Sequence, residues 1–278
     1  MTNILKENFE KHLKARYGST IDALSRAFSK FGIDYFLIGA LSRDLWVQHL
    51  EELPPIRMTT DMDFAVLVND KDQYHDIMQH LIDIENFVED PEPYRLYSPN
   101  DIMVDLIPFG KIEKNHEVRI QGKKWTYLSV LGTKEVTEES VNITDDFHVI
   151  TLPGLCILKL TAWQDNPGKR EKDIEDFKYM LYHYFMIAGD EIYADKENDW
   201  FADPFEEKVT GARFLGMQMK KILLKNDLLK TTIMSALRKQ LDDFTQEEID
   251  KMFQNNKNDF KILVYKLITE VIETINKE

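Results

Sequence analysis

Asp61 and Asp63 stand one residue apart at the head of an apolar run, Arg57-Met58-Thr59-Thr60-Asp61-Met62-Asp63-Phe64-Ala65-Val66-Leu67-Val68. In a strand, side chains alternate between faces, so both aspartates point one way while Phe64, Val66 and Val68 point the other. Two carboxylates about 7 Å apart repel each other, and neither can be buried bare. A hard divalent cation relieves both problems. Magnesium takes oxygen ligands, characteristically carboxylates together with substrate phosphates. The plain alternative is a polar turn ahead of a strand.

A third carboxylate belongs with this pair. Asp105 interrupts the apolar stretch Asp101-Ile102-Met103-Val104-Asp105-Leu106-Ile107. As a strand it places Ile102, Val104 and Leu106 on one face and Asp101, Met103, Asp105 and Ile107 on the other. A lone carboxylate there is costly unless paired or liganded. Set beside Asp61 and Asp63, it completes a cluster suited to two metal ions, one activating an attacking oxygen and one the departing pyrophosphate. The alternative is a salt bridge to Arg57 or Lys111.

Phosphate chemistry needs an anion site as well. In Gly39-Ala40-Leu41-Ser42-Arg43-Asp44 a strand ends in glycine and passes directly into a helix, leaving N–H groups for an anion. Gly39 has no Cβ to block a phosphate, Ser42 offers a hydroxyl and Arg43 a forked cation. Thr59, Thr60 and Arg57 lie on the same approach. Further along, Lys159 has Leu155, Ala162 and Trp163 as its helical neighbours and so sits on an apolar face. There it requires an anion, a nucleotide phosphate serving well, or must snorkel to water. Asp173 and Asp176 share a face of the next helix. They read either as site residues or as acids favoured by the helix dipole.

Periodicity and punctuation supply the elements that must hold these groups. Helices are expected over 3–17 and 20–31, the second opened by Ser19 or Thr20 and closed by Gly32. A strand at 34–39 and a helix at 40–50 follow, and Pro54-Pro55 breaks the chain before the Asp61 strand. The pattern continues with a helix at 70–82, strands at 93–97, 101–107, 116–121 and 123–128, a helix near 133–138 and a strand near 146–150. Gln121-Gly122-Lys123 reads as a hairpin turn. From Leu152-Pro153-Gly154 onward only helices are expected: 153–164, 171–188, 205–225, 227–241, 246–255 and 257–275. Residues 189–204 form an acidic connection that includes Asp190, Asp195, Asp199 and Asp203. The expected fold class is therefore α+β: a mixed domain over residues 1–150 and a helical domain over 151–278.

With 278 residues and 43% apolar content the chain can bury a full core. Its net charge of −14 repels nucleic acid over most of the surface while leaving room for local basic patches. Two such clusters are visible: Lys111, Lys114, Arg119, Lys123 and Lys124 on the hairpin, and Lys220, Lys221, Lys225 and Lys230 in the helical half. Both read equally well as solvated faces. The one cysteine, Cys156, supports neither a disulfide framework nor a zinc cluster. A polar start and no long apolar run give a cytoplasmic protein without a membrane partner as the expectation.

The glycine turn with Arg43-Asp44, then Thr59-x-Asp61-x-Asp63, then a strand carrying Asp105, resembles the nucleotidyltransferase signature of the DNA polymerase beta superfamily. Lys159 followed by Arg170-x-Lys172-Asp173-x-x-Asp176 is similar to the AbiEii-type nucleotidyltransferase toxins of abortive-infection and type IV toxin–antitoxin systems. The resemblance runs from Gly39 to Asp176, and the final hundred or so residues lie outside it. It implies a nucleotidyltransferase domain followed by a helical domain that completes the active-site cleft. The enzyme would move a nucleoside monophosphate from a nucleoside triphosphate to an acceptor hydroxyl or phosphate. Asp61, Asp63 and Asp105 would hold two Mg2+ ions, or Mn2+ in their place, with Asp105 as ligand or as base. Gly39, Ser42, Arg43, Arg57 and Thr60 would bind the nucleotide, and Lys159 with Asp173 would face nucleotide and acceptor. The superfamily's Gly-Ser is Gly39-Ala40 here, with serine only at Ser42. RNA such as a tRNA 3′ end is the implied acceptor and an antitoxin protein the implied partner. An acidic cleft suits a small polycationic, aminoglycoside-like acceptor better, and a non-catalytic scaffold or antitoxin-like protein keeping the fold is the third class.

Overall fold

Phe9, Leu13, Tyr17, Ile21, Leu24 and Phe28 are all buried and form one unbroken apolar stripe along the N-terminal helix. In a computed structural model, which describes residues 2–48, 50, 59–202, 204–242 and 260–277, this stripe keeps the chain helical where a break was expected. Thus α1 (Thr2–Asn8), a π-helical segment (Phe9–Lys14) and α2 (Ala15–Phe31) run on from one another. Ser19 and Thr20 are not caps. Their hydroxyls meet Asn100 at 2.6 Å and Ser98 at 3.1 Å. Gly32 does close the helix, in the left-handed conformation with φ 60°.

The elements then follow as β1 (Tyr35–Ile38), α3 (Gly39–Val47), β2 (Met62–Val68), α4 (Lys71–Asp83), β3 (Val88–Glu89), β4 (Arg95–Tyr97), β5 (Met103–Gly110), β6 (Glu117–Gln121), β7 (Trp125–Ser129), α5 (Thr133–Thr137), β8 (Val141–Asn142), β9 (His148–Val149) and α6 (Leu152–Asp165). The fold is α+β. Seven strands form one mixed sheet in the order β3-β4-β5-β2-β1-β9-β8, with β2 parallel to β5 and antiparallel to β1. The hairpin β6–β7 stands as a separate ribbon. The two-residue strands β3 and β8 are too short to carry a period in the sequence.

Two boundaries moved for local reasons. β5 starts at Met103 because Asp101 sits at φ 60° in the turn that reverses the chain after β4. It runs on to Gly110 through Pro108, which pairs with Val66 of β2. The missing proline N–H is harmless. It would lie on the β4 side, and β4 pairs β5 only over Met103–Asp105. The core of this part gathers rings from several elements: Tyr35 lies 4.4 Å from Phe28 and 5.8 Å from Phe64, and Phe147 lies 4.7 Å from Phe9.

The chain divides into two compact units, Met1–Leu155 and Cys156–Glu278. In the second unit α7 (Glu171–Ala194), α8 (Glu207–Leu223), α9 (Asp227–Asp242) and α10 (Phe260–Asn276) are the long elements. α7 continues past Gly189, shortening the expected acidic connection, because Ile192 carries the buried stripe one turn further. α8 packs on α7 and α10. Gly211 allows the first crossing: a Cβ there would meet the Phe185 backbone nitrogen at 2.6 Å. The expected helix at 246–255 falls outside the described residues. Among the described residues no helix is long and apolar enough to cross a membrane.

Candidate active site

The sheet lines up the two strands that carry the carboxylates side by side. β2 and β5 pair in parallel with Asp63 opposite Asp105. On the far side of β5, antiparallel β4 puts Arg95 opposite Asp105. On the far side of β2, Ile38 of β1 lies opposite Asp63. A row therefore crosses four strands: Arg95, Asp105, Asp63, Ile38. The next residue after Ile38 is Gly39, the first of α3.

Gly39 lies directly against Asp63. It has φ +71°, and a Cβ at that position would stand 2.0 Å from Asp63 Oδ2. Any other residue would displace the carboxylate and strain the backbone at once. The Asp63 carboxylate thereby lies at the start of α3, where unpaired N–H groups and the helix dipole favour negative charge. Asp61 precedes β2 and is half-buried. Its carboxylate accepts from Thr60 Oγ1 at 3.2 Å, and its backbone N–H donates to Thr59 Oγ1 at 3.4 Å. Nearby Tyr17 is 3% exposed, and its buried hydroxyl has no hydrogen-bond partner among the described residues. Burial raises its pKa first, with the charges of Asp44 and Asp61 adding to the rise and Arg16 opposing it.

Asp105 is 9% exposed and fully engaged. Arg95 grips it with both arms of its fork, Nε to Oδ1 at 2.7 Å and Nη2 to Oδ2 at 2.8 Å. The hydrogen bond to Asp105 raises the guanidinium pKa further above its ordinary value. The expected salt-bridge partners were Arg57, which lies outside the described residues, and Lys111. The actual partner is one the sequence reading missed. A signal for it existed. A hairpin turning at Ser98–Asp101 places residue 95 opposite 105 just as it places 97 opposite 103.

Two residues expected to contact phosphate are placed inside the fold. Ser42 and Arg43 are both 0% exposed. Ser42 Oγ donates to the Ile150 carbonyl at 3.5 Å. Arg43 turns back on its neighbour, with Nη2 2.6 Å from Asp44 Oδ1. Both lie on the face of α3 that packs into the unit, so neither side chain can touch a ligand as it stands. Thr60 is exposed and Gly39, the first residue of α3, is half-buried.

Lys159 and Asp173, expected as separate site residues, belong to one ion cluster inside the second unit. Lys159 Nζ lies 2.6 Å from Asp173 Oδ1 and 2.9 Å from Asp176 Oδ2. Lys159 is 9% exposed, Asp173 7% and Asp176 1%. The anion that a lysine on an apolar face demanded is thus a pair of carboxylates, one turn into α7. Arg170 stands 3.6 Å from the other Asp173 oxygen. Cys156 on the same helix is buried, and burial pushes its thiol pKa far up, so it is inert.

Beside Arg95 an open groove of about 920 Å3 runs between α4, the β3–β4 loop and the β6–β7 ribbon. Arg95, Lys71, Arg119 and Lys123 line it together with Glu89, Asp90 and Glu92. The ribbon exposes Trp125 (51%) and Tyr127 (55%). Lys71 lies 5.5 Å from the Trp125 ring and Arg119 lies 5.0 Å from the Tyr127 ring.

For magnesium the donor set is apt in part. Asp61 and Asp63 offer hard oxygens beside a cradle that only glycine permits, with the Tyr17 hydroxyl, unpaired among the described residues, close to Asp61. Asp105 has both oxygens on Arg95, and among the described residues no three His, Cys, Asp or Glu side chains converge as a ready metal cage. No family model matches this chain, and the searches of curated proteins and of solved structures likewise find no match.

Proposed function

We propose that this chain is a magnesium-dependent nucleotidyltransferase, moving a nucleoside monophosphate from a nucleoside triphosphate to an acceptor. The observation that carries the reading is the pairing of Asp63 with Asp105 on adjacent parallel strands, with Gly39 closing onto Asp63 at the start of a helix. Asp61 and Asp63 would hold the cation, with Asp105 joining them as a ligand once Arg95 releases it. When bound, magnesium supplies charge neutralisation at the transferring phosphate and its leaving group. The first N–H groups of α3 orient a phosphate oxygen, which replaces the role first expected of Ser42 and Arg43. Asp105 accepts the proton of the attacking hydroxyl once its oxygens are available. Thr60 holds Asp61 in place through its hydroxyl. Support for a direct nucleotide role is weakest at Lys159 and Asp173, whose charges already satisfy each other.

The acceptor is RNA in this proposal, and the toxin-like resemblance supplies an antitoxin protein as partner. Exposed Trp125 and Tyr127 with cations over their rings favour a nucleobase-bearing acceptor. A small polycationic acceptor is favoured instead by one observation: Glu89, Asp90 and Glu92 line the same groove. The test is incubation with each labelled nucleoside triphosphate and magnesium, with either total RNA or an aminoglycoside as acceptor. Label in RNA supports the first reading, and label in the small molecule supports the second. No transfer to either, with no thermal shift on adding magnesium and nucleotide, leaves the scaffold class standing. Expression without a partner should slow growth for a toxin, and Asp63→Ala should abolish that effect.

A further inference from the structure

We propose that Arg95 is a latch shared between Asp105 and an oxyanion subsite in the groove beside it, so that oxyanion binding and divalent-cation binding promote each other. This rests on the reading of Asp61, Asp63 and Asp105 as cation ligands. Both oxygens of Asp105 are taken by the Arg95 fork, and the carboxylate is nearly buried, so a cation reaching Asp105 must displace a guanidinium. A guanidinium there also repels the cation directly. Displacement has a route. The Arg95 side chain is 26% exposed, and its open side lines the groove.

The groove offers the displaced cation an alternative partner. Lys71, Arg119 and Lys123 line it with Arg95, and a tetrahedral oxyanion would meet several cations there. The groove's acids stand on the same side as Arg95, the Asp90 N–H donating to the Arg95 carbonyl at 3.3 Å and the Arg95 N–H to the Glu92 carbonyl at 3.0 Å, and they are partly occupied. Glu92 lies 3.8 Å from Lys124, and Asp90 Oδ1 accepts the Glu92 N–H at 2.8 Å. β5 beneath is held to α4, since buried Tyr74 donates to the Leu106 carbonyl at 2.9 Å. The part that moves in this proposal is the Arg95 side chain. A positioning residue of this kind keeps Asp105 covered until a phosphate-bearing substrate arrives.

The coupling must be reciprocal, which makes it measurable without turnover. Mn2+ binding is followed by electron paramagnetic resonance with and without inorganic sulfate, a tetrahedral oxyanion that complexes Mn2+ weakly. Sulfate should tighten Mn2+ binding to the wild type roughly 5- to 150-fold, the usual span for coupled sites. Arg95→Ala should bind Mn2+ more tightly without sulfate and lose the sulfate response. Asp105→Asn, which frees Arg95, should bind sulfate more tightly in the absence of metal. If Arg95→Ala does not fold, Arg95→Lys, which keeps the charge but not the fork, should show a reduced sulfate response. Unchanged Mn2+ affinity in the folded Arg95 variant, or unchanged sulfate affinity in Asp105→Asn, overturns the latch. Wild-type protein that binds no Mn2+ even with sulfate overturns both latch and metal reading. Reciprocal coupling without any nucleotidyl transfer keeps the latch and removes the enzymatic reading.

Discussion

Two buried ion clusters, one in each unit, look alike on paper and differ in what they leave open. In the helical unit Lys159 stands between Asp173 and Asp176, both within 2.9 Å, on an apolar face. In the sheet unit Arg95 holds Asp105, and Asp63 lies next in the row. The first cluster is closed, with every member at most 9% exposed. The second has a cation whose open side faces a groove, and a carboxylate pressed against a glycine that a methyl group would displace. Closed clusters serve the fold, because breaking one leaves an uncompensated charge without water. Open ones can exchange partners with a ligand. The difference lies in access and not in the residue types, which are nearly the same.

Substitution tests that contrast. Lys159→Ala should have the largest effect, about 3–5 kcal/mol of stability, since two carboxylates lose their shared cation. Denaturant unfolding of the purified variant measures it, and a loss under about 1 kcal/mol would show the cluster to be no more than a surface pair. Asp63→Asn should leave stability nearly intact while lowering nucleotidyl transfer roughly 100- to 1,000-fold, the loss typical of removing one charge-stabilising group. Equal damage to folding and activity would erase the distinction between the clusters. Gly39→Ala comes next. The alanine would need a φ near +71° with its Cβ 2.0 Å from Asp63 Oδ2, at a cost of order 1–3 kcal/mol. It should also weaken Mn2+ binding, whereas Gly168→Ala, with nothing within 4 Å of its Cβ, should do neither. The smallest change is expected for Arg26→Ala. Its partner Glu85 is largely buried, but Arg26 itself is 61% exposed, and such pairs contribute about 0–1 kcal/mol.

Local pattern was a reliable guide where one face had to be buried. The alternation in Met62–Val68 set Phe64, Val66 and Val68 inward and left Asp63 on the opposite face, because a one-residue slip would have buried the charge. Asp105 reads as anomalous for the same reason. Helices with continuous apolar stripes were legible in position and type, whereas two-residue strands were not. The N-terminal helix was misjudged at Gly18-Ser19-Thr20 because residues that favour caps and turns read as a boundary. Buried contacts on either side outweighed that preference. The burial of Ser42 and Arg43 was not legible because helical position says which residues share a face but not which face meets the core.

The sequence by itself determined which residues carry charge into apolar surroundings at Asp63, Asp105 and Lys159. It also set the strand periods that put Asp63 on a defined face, since both follow from side-chain chemistry and a period of two. Only the tertiary structure decided who answers each charge. Arg95 reached Asp105 through an antiparallel pairing, Asp173 and Asp176 reached Lys159 from the next helix, and Gly39 met Asp63 across adjoining strands. The physical reason is that a buried charge demands a partner without specifying one, and the partner is chosen by whichever strand or helix the packing of the apolar faces brings alongside.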